Sequence, residues 1–150
     1  MDKNIREQEE DLSLKLFVVL TRALNSIRKL VEEDIKCLGL NPTEFAVLEF
    51  VYHKGDQPIQ KIGEKVLIAS SSITYVIDKL EEKGFIERKP CSKDRRMIYA
   101  GITNEGKKFM DEVFPKHKKA MKRICAGLSM KEKETVIELL KKLGYYAEQL

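Results

Sequence analysis

The 150-residue chain has only three cysteines, Cys37, Cys91 and Cys125, which are widely spaced and form no Cys-x-x-Cys pair. So few scattered thiols give neither a zinc site nor a disulfide framework, and a reducing cytoplasm is the simplest setting. Long apolar runs are also missing. The stretch Leu16 to Leu20 is too short for the h-region of a signal peptide or for a membrane span, so neither export nor membrane insertion is expected. Histidine is limited to His53 and His117, isolated in sequence, and no carboxylate pair, glycine loop or nucleophile motif accompanies them. A catalytic triad, a metal set and a bound cofactor are therefore not expected, and the chain reads as a non-enzyme. Nor is there a strong excess of one charge. Lys and Arg number 28 against 24 Asp and Glu, a net +4, so a polyanionic partner has to be argued from where the cations lie.

What is present is a well-patterned helical chain without repeats or low-complexity linkers. Hydrophobic residues make up 43% and charged residues 35%, a balance that supports a folded core. From about Glu9 to Leu38 the apolar residues Leu16, Leu20, Leu24, Ile27, Val31, Ile35 and Leu38 step by three or four, predicting one long helix. Asn41-Pro42-Thr43-Glu44 then supplies an N-cap, a proline at the first helical position and a glutamate three residues after the cap, so a second helix runs to about His53. A short third helix spans Pro58 to Val66. The serines Ser70, Ser71 and Ser72 open a fourth, with Ile73, Val76, Ile77 and Leu80 on one face and Gly84 beyond its end. Two β-type segments follow, Phe85 to Lys89 and Met97 to Ile102, making a hairpin. Thr103 caps a fifth helix to about Ala126, bent at Pro115. The capping box Ser129-Met130-Lys131-Glu132 begins a last helix whose apolar residues Val136, Leu140, Leu143, Ala147 and Leu150 step like an interhelical seam. The expected class is α+β, mostly α, as one continuous unit: an N-terminal helix over 1–38, a lobe over 39–103 and C-terminal helices over 104–150.

Burying the apolar stripe of the fourth helix leaves Ser71, Thr74, Tyr75, Asp78 and Lys79 on or near its outer face. A hydroxyl-rich first turn suits a helix entering a DNA major groove, because short side chains let the backbone approach phosphates and base edges. Serine before a helix is equally an ordinary cap. The hairpin adds Arg88, Lys89, Lys93, Arg95 and Arg96 against Glu87 and Asp94. An arginine at such a tip fits the narrow minor groove beside the major groove, and Asp94 can orient it. A generic charged β-turn is the plainer alternative for that segment alone.

These residues carry a family resemblance in their order and spacing. Gly-Leu-Asn-Pro-Thr-Glu-Phe-Ala-Val-Leu-Glu from Gly39, Ser-Ser-Ile-Thr-Tyr-Val-Ile-Asp-Lys-Leu-Glu-Glu-Lys-Gly from Ser71, and Asp94-Arg95-Arg96 followed by Ile-Thr-Asn-Glu-Gly from Ile102 resemble the MarR family of transcription regulators over nearly the whole chain. Within it the chain is most similar to regulators that respond to methylhydroquinone and related quinones. The resemblance implies a winged helix-turn-helix with N- and C-terminal dimerisation helices, a homodimer binding a palindromic double-stranded operator, and repression as the usual output. It places the recognition helix on Ser70 to Gly84, with Ser70, Ser71, Ser72, Thr74, Tyr75 and Lys79 facing DNA. The wing falls on Pro90 to Arg96, with Arg88, Lys93, Asp94, Arg95 and Arg96 as its DNA-binding residues. Phe17, Tyr52 and His53 are positional candidates for a phenolic, quinone or oxidant effector, against the plainer reading of ordinary packing, since aromatic residues at helical spacing are usually buried for area alone. The redox-sensing branch of the family has a cysteine near the start of its first helix. Here that stretch reads Leu12-Ser13-Leu14-Lys15-Leu16-Phe17, and of the three cysteines only Cys91 has surroundings that favour thiolate. A winged-helix adaptor for protein contacts is the competing class, and salt-sensitive DNA affinity separates the two.

Overall fold

Asn41 starts a helix in the way its neighbours predict: its side-chain oxygen accepts from the Glu44 amide at 2.8 Å, while the Glu44 carboxylate accepts from the Asn41 amide at 3.2 Å. Ser129 and Glu132 make the same reciprocal cap at the start of the last helix. The computed structural model describes residues 3–66 and 70–150, with Ser70 and Ser71 described by their backbone alone. The order is α1 (Lys3–Cys37), α2 (Pro42–Lys54), β1 (Gln57–Pro58), α3 (Ile59–Lys65), α4 (Ser70–Glu82), β2 (Ile86–Pro90), β3 (Ile98–Ile102), α5 (Asn104–Ile124) and α6 (Met130–Ala147). The fold is α+β and mostly helical, as its periodicities predict.

The three strands form one antiparallel sheet in the order β1-β3-β2. Ile86 pairs with Ile102 and Pro90 with Ile98, so β2 and β3 close the hairpin, while Gln57 and Pro58 pair with Ala100 and Tyr99 on the other edge of β3. The edge position tolerates Pro58, which has no amide proton to give a ladder. Gly84 turns the chain from α4 into β2 at φ 79, a left-handed conformation that favours glycine. The Thr103 hydroxyl, which receives the Gly106 amide at 3.0 Å, donates to the Gly84 carbonyl at 2.5 Å. One side chain thus caps α5 and pins the turn before the wing.

The core lies inside the lobe. Phe45, Val47, Leu48 and Val51 from α2, Ile62 from α3, Ile73, Ile77 and Leu80 from α4, and Met110 from α5 are all almost fully buried. Removing such side chains from water is the main source of stability, about 1.5–3 kcal/mol for each large aliphatic. By contrast α1 contributes one buried residue, Ile35, and α6 contributes none. Two features differ from the sequence expectation: the first helix begins at Lys3 rather than near Glu9, and β1 is additional, taking Pro58 from the expected start of the third helix, whereas α5 continues as one helix across Pro115 as expected. Pro115 and Asp111 are both exposed, so the Asp111 carbonyl that loses its intrahelical donor faces solvent.

Candidate nucleic-acid interface

The apolar stripe of α4 decides what its other side can do. Ile73, Ile77 and Leu80 are fully buried against α2 and α3, which turns Ser72, Thr74 and Tyr75 outward, Tyr75 with 63% of its surface accessible. Ser70 and Ser71 stand in the first turn of the helix. The capping role expected of the Ser70 and Ser71 hydroxyls falls on side chains outside those described. Lys79 is half-buried, with its ammonium 5.3 Å from the centre of the Tyr75 ring and 3.4 Å from the Glu82 carboxylate. The Glu82 charge first, and then the Tyr75 phenol, hold the Lys79 ammonium above its ordinary pKa. It is a fixed positive charge on the outer face.

The wing leaves the sheet at Pro90 and returns at Ile98. Asp94 organises its tip, for its carboxylate accepts the Arg96 amide at 2.9 Å and its carbonyl accepts the Met97 amide at 3.1 Å. Lys93, Arg95 and Arg96 are exposed. Among the described residues none of the three takes part in an ion pair, so three cations stand out on a turn with one nearby carboxylate, Asp94. A cleft of about 220 Å³ between the wing and the helices brings Thr74, Arg88 and Arg96 together with Pro58, Met97 and Ile98.

Arg88 differs from the tip cations. One terminal nitrogen donates to Glu81 at 3.0 Å, the other to Asp78 at 2.6 Å, and only a quarter of its side chain is accessible. Lys89 reaches across the sheet to Asp56 at 3.1 Å, and Asp56 is the first cause of its raised pKa. Sequence reading summed all these cations as one basic patch. The carboxylates of Asp78 and Glu81, three residues apart on α4, are the signal that sorts them.

The effector candidates divide. Tyr52 and His53 lie together, ring centres 5.0 Å apart, and Phe114 lies 4.7 Å from His53. The Tyr52 hydroxyl donates to Asp111, whose acceptance of that proton holds the phenol above its usual pKa. Phe114 continues to His117, whose ring lies tilted against Phe45 with centres 4.6 Å apart and which contacts Asp34 of α1 at 3.3 Å. Next to this row is an open concavity of about 450 Å³ lined by Glu49, Phe114, His117, Met121 and Cys125, with Lys118, Lys122 and Lys133 at its rim. Phe17 belongs elsewhere. It is exposed on α1 in a shallow hollow with Arg6, Glu9, Glu10, Ser13 and Leu14, about 27 Å along the helix from Ile35 at 1.5 Å per residue. Within one protomer it does not join Tyr52 and His53. Sequence reading did not single out Phe114, and it named His117 only as an isolated histidine outside any motif.

A helix-turn-helix followed by a two-stranded wing narrows the possible relatives. The MarR family model matches residues 40–98. The HTH-type transcriptional regulator MhqR of Bacillus subtilis (strain 168) is 50% identical over 137 residues, which cover 91% of this chain and 94% of that protein. The chain belongs to the MarR family. As a MarR-family protein it is a winged-helix, DNA-binding transcription regulator. Solved structures agree on the fold. AbsC, a MarR-family transcriptional regulator from Streptomyces coelicolor, superposes with a TM-score of 0.84 at 17% identity, covering 93% of this chain and 97% of that one. A MarR variant from Escherichia coli complexed with operator DNA gives 0.78 at 19%, covering 89% and 96%. NadR in complex with 4-hydroxyphenylacetate gives 0.72 at 19%, covering 84% and 89%. Two absences accompany this MarR-family architecture: among the described residues no group of three or more His, Cys, Asp or Glu side chains could hold a metal ion, and no helix is long and apolar enough to cross a membrane.

Proposed function

We propose that the protein is a homodimeric repressor that binds a palindromic operator and leaves it when a small phenolic or quinone-like molecule binds. The observation that carries this reading is the pairing of an outward face of α4, bearing Ser72, Thr74 and Tyr75, with a wing whose Lys93, Arg95 and Arg96 have no ion-pair partners among the described residues. The face of α4 enters a major groove, Ser70, Ser71 and Lys79 included, and the wing arginines lie along the adjacent minor groove, with Asp94 holding the tip. Dimerisation goes through 1–38 and 104–150, where Leu16, Val19, Leu139, Leu140, Tyr145 and Tyr146 are exposed, more apolar surface than a monomer ordinarily leaves in water. The lobe over 39–103 then hangs from that platform twice, so operator half-sites fall about one helical turn apart.

The effector belongs to the quinone-responsive branch that the sequence resembles, and half-identity to MhqR supports that assignment. The concavity beside Phe114 and His117 is a fitting place for an aromatic ring, and a phenol on a protein of the same fold, 4-hydroxyphenylacetate on NadR, supports the class. Phe17 joins the site only if a partner protomer brings it there.

Duplex recovered by selection from genomic DNA supplies the probe. Anisotropy titrations should show parental affinity falling steeply with salt. Arg95→Ala/Arg96→Ala should weaken binding and lower the slope of log affinity against log salt by about 0.9 for each phosphate the variant no longer neutralises. Equal affinity and slope for the double variant would remove the wing from the interface. Adding quinones, phenols and peroxides to the recovered complex tests the second half: release by quinones or phenols is expected, and release by none of them overturns the effector assignment.

A further inference from the structure

We infer that Arg88 is a positioning residue rather than a DNA contact: it offsets one of the two charges of the acidic stripe of α4 and ties that helix to the strand leading into the wing. The inference rests on the DNA-binding reading above.

Arg88 sits on β2, two residues before the wing begins at Pro90. Its side chain lies along α4 over nearly two turns. One terminal nitrogen donates to Glu81 at 3.0 Å, and the second donates to Asp78 at 2.6 Å and to the Thr74 carbonyl at 3.4 Å. The Arg88 backbone amide donates to the other Glu81 oxygen at 3.2 Å, so Glu81 grips the strand as well as the side chain. A planar, delocalised fork suits two carboxylates at once, which the point charge of a lysine does not.

Two features set this arrangement apart from an ordinary surface ion pair worth little. Asp78 and Glu81 stand on the helix that faces DNA, where an unneutralised carboxylate meets phosphates of the same sign. The one cation within α4, Lys79, is engaged by Glu82. Arg88 is therefore the group that offsets the stripe, leaving one of its two negative charges uncompensated. The clamp also joins the two reading elements. A helix in one groove and a wing in the next must keep a set separation, and Arg88 spans the gap between them directly.

A phosphate-binding Arg88 and a clamping Arg88 differ in measurable ways. Affinity for the selected palindromic duplex is compared across a salt series for the parent, Arg88→Met, Arg88→Lys and the neutral triple variant Arg88→Met/Asp78→Asn/Glu81→Gln, with Tm followed for each. The clamp predicts roughly tenfold weaker binding for Arg88→Met, in the range of coupled groups that touch. Arg88→Lys is also weakened, since the charge stays but the fork is gone. The triple variant recovers to within about threefold of the parent, a rescue expected of coupled residues. All keep the parental salt slope. A triple variant as weak as Arg88→Met, a near-parental Arg88→Lys and a slope lower by about 0.9 per protomer would make Arg88 a phosphate ligand and overturn the clamp. A parent that binds no duplex at all would overturn the DNA-binding reading, and the clamp with it.

Discussion

Gly106 shows how closely single residues are set around the wing. A Cβ on Gly106 would stand 2.2 Å from the Phe85 carbonyl oxygen and 2.8 Å from Ile102, so the backbone itself would have to move. Gly106→Ala should destabilise the protein by about 1–3 kcal/mol, the range for overpacking, whereas Gly127→Ala, with nothing within 4 Å of its Cβ, should stay within about 0.5 kcal/mol of the parent. Urea midpoints for the two variants check this. Equal midpoints would mean that α5 does not press on Phe85 so tightly. At this scale the sequence was legible where chemistry is local. Asn41, Thr103 and Ser129 all cap as their spacing predicts, because a cap is settled within four residues. The partners of Arg88 were not legible, since an ion pair between a strand and a helix residue ten positions earlier depends on how the chain turns at Gly84.

Elements declare themselves by their period, and the longer the period runs the more surely they do so. The stripe Ile73, Val76, Ile77, Leu80 located α4, and the same residues line the core. Two-residue β1 has no period to show, and its partners Tyr99 and Ala100 lie far along the chain in β3, so only the folded sheet reveals it. The extra turns at the start of α1 were missed because Lys3 to Glu10 is largely polar, with Ile5 alone in place of an apolar stripe.

The cap of α6 makes an element-scale prediction. The Ser129 backbone amide first, and then its hydroxyl interaction with the same residue, hold the Glu132 carboxyl below its ordinary pKa of 4.5. A lowered folded-state pKa means the native chain binds that proton less readily than the unfolded chain. The cap's stabilisation is therefore present above the unfolded value of 4.5 and is lost as pH falls through the folded one. Thermal unfolding of the parent and of Glu132→Gln, followed by circular dichroism, should show a Tm difference near neutrality that closes once the pH has fallen through the folded-state pKa. A difference that stays constant with pH would remove the carboxylate from the cap. Ser129→Ala should cost about 1 kcal/mol.

The whole molecule raises the question of what covers its two ends. An 18-residue α6 with no buried residue gains little tertiary burial within its own protomer, and most helical stability in proteins comes from packing an apolar face. A 35-residue α1 that meets the core only near its C-terminal end, at Val31 and Ile35, has the same difficulty over most of its length. Association of two chains through these helices resolves both, and it turns one reading helix into a symmetric pair. Leu140→Glu/Leu143→Glu on α6 should therefore yield monomers and lose affinity for the palindrome while the lobe, whose core these residues do not enter, stays folded.

Sedimentation of the purified chain, alone and with the selected palindromic duplex, tests this account most directly. Two chains in the unbound species and two chains on each duplex, with the α6 variant reduced to single chains that do not bind, is the predicted result. A stable single chain at micromolar concentration that binds the duplex as tightly as the parental preparation would contradict it.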